Sequence, residues 1–397
     1  MDNHIDNLPT PVAGQESMIG PFRFIAGLFS LMLRTASEAT RIAGEIHGVI
    51  NERPAPLARS QGAEPVPTPR IYQLIHLAFI HIANQLHKLI EFVPKPGFVS
   101  PEVAQLQSVM NGVFGDKLHD WGHPSAIEMQ VLNRHNQATS LDQLQQQYPN
   151  GVALFCHGLC LSEYEWQRGA ANAFMEALQA EGFGVAYLRY NSGLTLAENG
   201  SLLANLIHSQ WQLNQDQSML LIGHSMGGLV IRSALHQGQD IHQQPWVNQV
   251  SHAAYVASPH EGASGEKLGD FANGLLGYSP YTKPLMALGN IRSRGIRSLK
   301  NSDIKHPETL DVDNLAVFNH NIHHLLIGAR LPNPMAKQIL GDGLVTEVSA
   351  MGLSHFPEEH HQITRLFINE IGHLKLLRDQ RLYWALTLWL KKTKHSH

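Results

Sequence analysis

Met219-Leu220-Leu221-Ile222-Gly223-His224-Ser225-Met226-Gly227-Gly228-Leu229-Val230-Ile231 reads as three pieces: a short apolar strand, a G-x-S-x-G turn, and the start of a helix. That succession is the setting of a nucleophile elbow, where a serine sits at the apex of a very sharp turn. Gly223 and Gly227 carry no Cβ to collide with the crowded backbone around it. The turn then pushes the Ser225 hydroxyl out over the end of a sheet, so Ser225 is expected to be a nucleophile.

Outward from the elbow, strands and helices alternate from about residue 127. Ile127–Leu132, Val152–Cys156, Val185–Leu188, Ala253–Val256 and His324–Ile327 read as strands, and Ala170–Leu178 and Leu382–Leu390 as helices. Strands separated by helical segments predict an α/β fold with a mainly parallel sheet covered on both faces. The interval 263–313 breaks this rhythm and reads as an insertion over the sheet's end. Its Phe271, Leu275, Leu276, Tyr278, Tyr281, Leu285 and Met286 suit either a lid or acyl-pocket wall, or a small core of their own.

A serine hydroxyl needs a base to take its proton, and the base needs a carboxylate to orient it. In a strand-turn-helix site of this kind the three come in the order Ser, Asp/Glu, His. Asp342 lies in Gly341-Asp342-Gly343-Leu344-Val345, a tight loop after the His324–Ile327 strand, and is preferred over Asp303, Asp311 and Asp313. His373 follows Gly372 just before the last helix and is preferred as base. His355 is the runner-up, and the pair His360-His361 sits in an acidic, polar stretch. Acyl transfer also needs N–H donors for the oxyanion. Met226, next after the nucleophile, and Leu159, in His157-Gly158-Leu159 after a buried strand, are expected to supply them.

The chain has 397 residues, 43% of them hydrophobic and 16% charged, the latter below the usual ~25%. That length suits a helical extension with a linker over 1–110 and a catalytic domain over 111–397. A net charge of −4 and no Lys/Arg stripe give no reason to expect a nucleic-acid partner. The 25 histidines are scattered and none joins Cys or carboxylates at zinc spacing, so no metal and no cofactor are expected. Cys156 and Cys160 alone exclude a disulfide framework and fit a reducing, cytoplasmic location.

The first hundred residues differ from the rest. Ile25, Leu28, Phe29, Met32, Ala36, Ala39, Ala43, Ile46 and Ile50 recur at three and four, as do Ile71, Ile75, Ala78, Phe79, Ile82, Leu86, Leu89 and Ile90, and each set predicts an amphipathic helix. Such faces pack on the catalytic domain or on each other, or else meet lipid as a peripheral membrane element. The uncharged run Phe24–Leu33 is too short to cross a bilayer, which takes ~20 residues. The first fifteen residues carry an acidic Asp2 and no basic region, unlike an ordinary secretory signal.

His157-Gly158-Leu159, Gly223-His224-Ser225-Met226-Gly227 and Asp342-Gly343-Leu344-Val345 resemble motifs of bacterial triacylglycerol lipases in the α/β-hydrolase superfamily. Further segments resemble bacterial esterase/lipase-like hydrolases related to the GPI inositol-deacylase group. These are Asn111-Gly112-Val113-Phe114-Gly115-Asp116, Arg189-Tyr190-Asn191-Ser192-Gly193 with Glu198-Asn199-Gly200, Ser258-Pro259-His260-Glu261-Gly262-Ala263, and Arg292-Ser293-Arg294-Gly295-Ile296. The likeness runs over roughly residues 35 to 390. It implies hydrolysis of an ester or lipid-like substrate, with Ser225, Asp342 and His373 at the catalytic positions and Leu159 and Met226 as oxyanion donors. Acyltransferase, thioesterase or amidase chemistry on the same triad, and a non-catalytic membrane-tethering role, are the alternatives. Thr346 stands where such proteins often carry proline.

Overall fold

The computed structural model describes residues 13–51, 69–93, 99–277, 293–304, 319–332 and 341–393. The chain divides into two compact units. One runs to Val103 and takes in Asp120–Ser125; the other comprises Ala104–His119 and the chain from Ala126 onward.

The larger unit is built on one eight-stranded sheet. Its strands are β1 (Gln130–Asn133), β2 (Ala138–Thr139), β3 (Gly151–Cys156), β4 (Phe183–Arg189), β5 (Ser218–His224), β6 (Val250–Val256), β7 (His323–Arg330) and β8 (Ile363–Asn369). Their order across the sheet is β2-β1-β4-β3-β5-β6-β7-β8. The six strands from β4 to β8 are parallel, while β1 runs antiparallel to β4 and pairs with β2 as a hairpin at the edge. The central strands read as unbroken apolar runs because both faces are covered; every residue of β3 is buried.

Alternation along the strands divides the core. Phe155, Leu220, Ile222, Ala254 and Leu325 share one face and pack with Trp166, Phe174, Tyr187, Tyr383 and Leu386. Phe174 belongs to helix Ala171–Ala180, and Tyr383 and Leu386 to the last helix, Gln380–Thr393. On the opposite face Tyr255 lies against Gly228 of the helix that follows the elbow. Sheet order, parallel pairing and two helical layers make this an α/β-hydrolase fold.

The expected strands are all present, with shifted ends. Ile127–Leu132 begins as a strand only at Gln130. β8 is an element the sequence reading did not contain. As the outermost strand it is half-exposed and carries Arg365 in its middle, so it lacks the apolar run of its neighbours. Within 263–313 the described elements are the helices Gly265–Gly277 and Arg294–Asn301. Tyr278, Tyr281, Leu285, Met286, Asp311 and Asp313 lie outside the described residues.

The smaller unit is a pair of helices, α1 (Ala13–Asn51) and α2 (Arg70–Phe92). Both are expected from their periodicity, and Leu28 and Ile90 of the expected faces are buried, but polar groups join the helices and many of the other apolar residues are not covered. Ser30 Oγ donates to the Ala83 carbonyl (3.3 Å), Ser37 Oγ lies 2.7 Å from His76 Nδ1, and Arg34 reaches Asn84 Oδ1 (2.8 Å). Arg23 donates to the carbonyls of Ile90 (2.6 Å) and Val93. Arg23, Ser30 and Ser37 thus recur every seven residues and face Ile90, Ala83 and His76, which do the same. Ile25, Phe29, Met32 and Ile46 of α1, and Ile71, Leu74, Ile75, Leu77 and Ile82 of α2, are exposed. Among the described residues no helix is long and apolar enough to cross a membrane.

Candidate active site

The remaining helices are α3 (Pro101–Asp120), α4 (Leu141–Gln147), α5 (Ala171–Ala180), α6 (Leu196–Gln210), α7 (Met226–His236), α8 (Gly265–Gly277), α9 (Arg294–Asn301), α10 (Glu347–Met351) and α11 (Gln380–Thr393). Ser225 stands between β5 and α7 with φ 53° and ψ −121°. This conformation costs a non-glycine residue on the order of 1–3 kcal/mol and persists only where the surroundings enforce it. They do so here through main-chain bonds: Ser225 N–H donates to the Val256 carbonyl (2.8 Å), and Gly228 N–H to the Ser225 carbonyl (3.1 Å). A Cβ on Gly223 would lie 2.4 Å from the Gly228 nitrogen, and one on Gly227 would lie 2.4 Å from the Cys156 oxygen. Backbone meets backbone at both positions, so both must be glycine.

The structure brings Asp342 and His373 together. Both are buried, and His373 Nδ1 lies 2.7 Å from Asp342 Oδ2. The other carboxylate oxygen, Oδ1, accepts the N–H groups of Leu344 (3.0 Å) and Val345 (2.8 Å). Gly341 and Gly343, at φ 54° and 100°, let the loop close tightly enough for this. A further main-chain bond, His373 N–H to the Asp342 carbonyl (3.1 Å), joins the two loops. The carboxylate is therefore held at one oxygen and offers the other to the imidazole.

His224 ties this pair to the elbow. Its Nε2 donates to the His373 carbonyl (3.3 Å), and the two rings lie 4.8 Å apart. Burial first, and then the neighbouring His373, push the His224 pKa well below the ordinary value, so its ring stays neutral. In the sequence His224 holds only the variable place of G-x-S-x-G, and no residue pattern marks this role.

The loop after β3 borders Ser225. A Cβ on Gly158 would stand 3.1 Å from Ser225 Cβ and 3.2 Å from His224 Nδ1. Gly158-Leu159-Cys160-Leu161 forms a turn closed by Leu161 N–H on the Gly158 carbonyl (3.2 Å), with Cys160 at φ 58°. Met226 is the first residue of α7, where a helix leaves N–H groups unpaired and its dipole favours negative charge. Leu159 and Met226 thus flank Ser225 from two sides of the site.

Segments that the sequence tied together only by resemblance meet behind this loop. Tyr190 stacks on His157 (4.4 Å between rings) and donates its hydroxyl to the His157 carbonyl (2.7 Å). Ser192 Oγ accepts Cys160 N–H (3.1 Å), and Gln105 of α3 donates to the Cys160 carbonyl (3.0 Å). Asn191 donates to the Gly115 carbonyl (2.8 Å), and Ser293 to that of Gly112 (2.6 Å). Asp116 accepts Arg294 N–H (3.0 Å), and Glu198 pairs with the Arg294 side chain (3.1 Å). Arg189 pairs with the buried Glu163. Gly200 brings α6 close to α7, since a Cβ there would meet Ser233 Oγ at 2.1 Å. Burial holds the His157 pKa down to about 4.

Ser258–Ala263 supports the other side. Glu261 N–H donates to Ser349 Oγ (3.1 Å), Ser349 Oγ donates to the Gly262 carbonyl (2.7 Å), and Ser349 lies in α10, just after the Asp342 loop. Thr346 caps α10, its Oγ1 accepting Ser349 N–H at 3.2 Å, which gives the threonine a local structural purpose. His355 lies 3.9 Å from Glu261, away from Asp342, and His360 stacks on His361. Cys156 and Cys160 are buried free thiols, and burial pushes the Cys160 pKa up to about 12. Among the described residues no His, Cys, Asp and Glu cluster could hold a metal ion.

Residues 150–271, which run from the start of β3 through the elbow into α8, match the family described as PGAP1-like alpha/beta domain. With the sheet order, that match relates the chain to the α/β hydrolases. Among solved structures the chain is similar to the mature lipase BlEst2 of Bacillus licheniformis, at 18% identity over 66% of this chain and 97% of that one, with a TM-score of 0.40. It is also similar to the carboxylesterase CesB of Bacillus subtilis (14% identity, 72% and 98% covered, TM-score 0.38) and to Est1E of Butyrivibrio proteoclasticus (11%, 67% and 96%, 0.39). No curated protein matches the chain.

Proposed function

We propose that this protein is a serine hydrolase that cleaves carboxylic esters through an acyl-enzyme. The buried 2.7 Å contact between Asp342 Oδ2 and His373 Nδ1 carries the reading, because it leaves His373 Nε2 as the basic nitrogen. His373 Nε2 takes the Ser225 proton as Oγ bonds to the ester carbonyl carbon. The Leu159 and Met226 N–H groups hold the oxyanion. Collapse expels the alcohol, which receives that proton from His373. Water then attacks the acyl-enzyme by the same route, releasing the acid and freeing Ser225.

The ester class rests on the lipase-like motifs and on the buried apolar side chains of Leu159, Leu161 and Met226 beside the nucleophile. α8 extends that lining: its Phe271 ring stands edge-on to His373 at 6.5 Å. We read α8 as a wall for the acyl chain.

The test is a fluorophosphonate probe and a panel of p-nitrophenyl esters of graded chain length, run on wild type and Ser225→Ala. Wild type is expected to be labelled and to turn over esters, and Ser225→Ala to do neither. Labelling that survives the substitution would overturn the assignment. Phe271→Ala is expected to shift the preferred chain length while leaving labelling intact; an unchanged profile would remove α8 from the acyl site.

A further inference from the structure

We propose that the α1–α2 hairpin seats itself in one leaflet of a lipid surface, with its outward faces among the acyl chains. A helix pair in water puts apolar residues between the helices and polar ones outside. Here Leu31, Ala83 and Ile90 are buried, but many large apolar side chains of both helices are left on the outside. Polar groups also enter the seam: Arg23, Ser30, Arg34 and Ser37 bond to main-chain and side-chain groups of α2, with the small, buried Ala83 at its centre. Small residues and interhelical hydrogen bonds are what join helices whose surroundings are themselves apolar.

The outer faces agree. Leu74 is 63% exposed, Ile71 59% and Phe92 87%. No Asp, Glu, Lys or Arg occurs from Phe24 to Leu33 or from Ile71 to His87. At about 100° per residue, Leu77, Leu74, Ile71 and Ile75 spread over an arc of about 160° on α2. One partner helix, including one from a second copy of this chain, covers only the narrow seam of a coiled coil and would leave part of that arc in water. Acyl chains cover all of it. An uncharged run of 71–87 rises about 25 Å, short of the ~30 Å hydrocarbon core, so the hairpin enters and does not span. With no basic residues on these runs, anionic headgroups add little.

The experiment sediments the full-length protein with phosphatidylcholine vesicles, with and without phosphatidylglycerol and 0.5 M NaCl. Binding is expected to phosphatidylcholine alone, to survive salt, and to be the same for Ser225→Ala, which separates this proposal from the catalytic one. Leu74→Glu with Leu77→Glu, both at exposed positions, should keep the wild-type melting curve and weaken partitioning roughly 100-fold, as loss of two buried leucines implies. Binding that needs phosphatidylglycerol and disappears in salt would overturn the proposal. So would absence of vesicle binding, whether the protein sediments as a monomer or as a dimer that the double substitution dissociates.

Discussion

Replacing Asp342 by asparagine keeps the size of the side chain and changes one donor–acceptor relation. The Leu344 and Val345 N–H groups both point at Oδ1, so the new amide places its oxygen there and its NH2 toward His373. The flipped amide would lose both hydrogen bonds and set a donor against two donors. At about 1–3 kcal/mol for each unsatisfied buried group, the flip costs at least about 2 kcal/mol, a preference of about 30-fold. The amide then donates to His373 Nδ1, which must be unprotonated, so the proton sits on Nε2. In that tautomer the imidazole cannot accept the Ser225 proton. The expected result is a fall in kcat of about 10⁴-fold, the cost of a wrong histidine tautomer in a serine triad. The assay is pre-steady-state hydrolysis of a p-nitrophenyl ester, with the melting temperature checked in parallel. A folded Asp342→Asn protein that keeps kcat within tenfold of wild type would refute the reasoning.

Other expectations follow from the same geometry. Gly158→Ala sets a methyl group 3.1 Å from Ser225 Cβ and shifts the Leu159 N–H; kcat should fall about 10–100-fold, part of the 10²–10³ an oxyanion donor is worth, with KM little changed, and unchanged kcat would remove this loop from the site. Tyr190→Phe leaves the His157 carbonyl without its hydroxyl donor, so urea unfolding should show a loss of about 1–3 kcal/mol; equal midpoints would refute it. Burial holds His157 near a pKa of about 4 and His324 near about 3. Unfolding lets both bind protons below about 6.5, so stability present above that pH is lost as pH falls toward 4, by up to about 1.4 kcal/mol per pH unit for each. Calorimetry at pH 7, 6 and 5 should show a falling melting temperature, and a flat profile would contradict the burial of these rings.

The site was more legible in the sequence than the architecture around it, for physical reasons. Ser225 and Asp342 stand out because sharp loops need Gly223, Gly227, Gly341 and Gly343 beside them, and His373 because it follows Gly372 just before the last helix. β3 and β5 were legible because strands buried on both faces must be apolar throughout. β8 was not, since an edge strand half in water can carry Arg365. The α1 and α2 helices showed in their periodicity, but the face that pairs did not. Periodicity marks the large apolar side chains, buried and exposed alike, and carries no signal for Ser30, Ser37 and Arg23, whose hydrogen bonds help to set the seam. His224 and Tyr190 act through main-chain carbonyls, and a partner of that kind leaves no trace in residue type.

The bond from Ser225 N–H to the Val256 carbonyl joins the proposed nucleophile to the end of β6. An amide held there, at the ends of two interior strands, is expected to exchange with the strands it joins and not with a mobile loop. Ser225 should therefore lose its position together with the sheet. Heat should abolish ester cleavage and the folded sheet together, and the Ser225 amide should be among the last in the chain to exchange with heavy water.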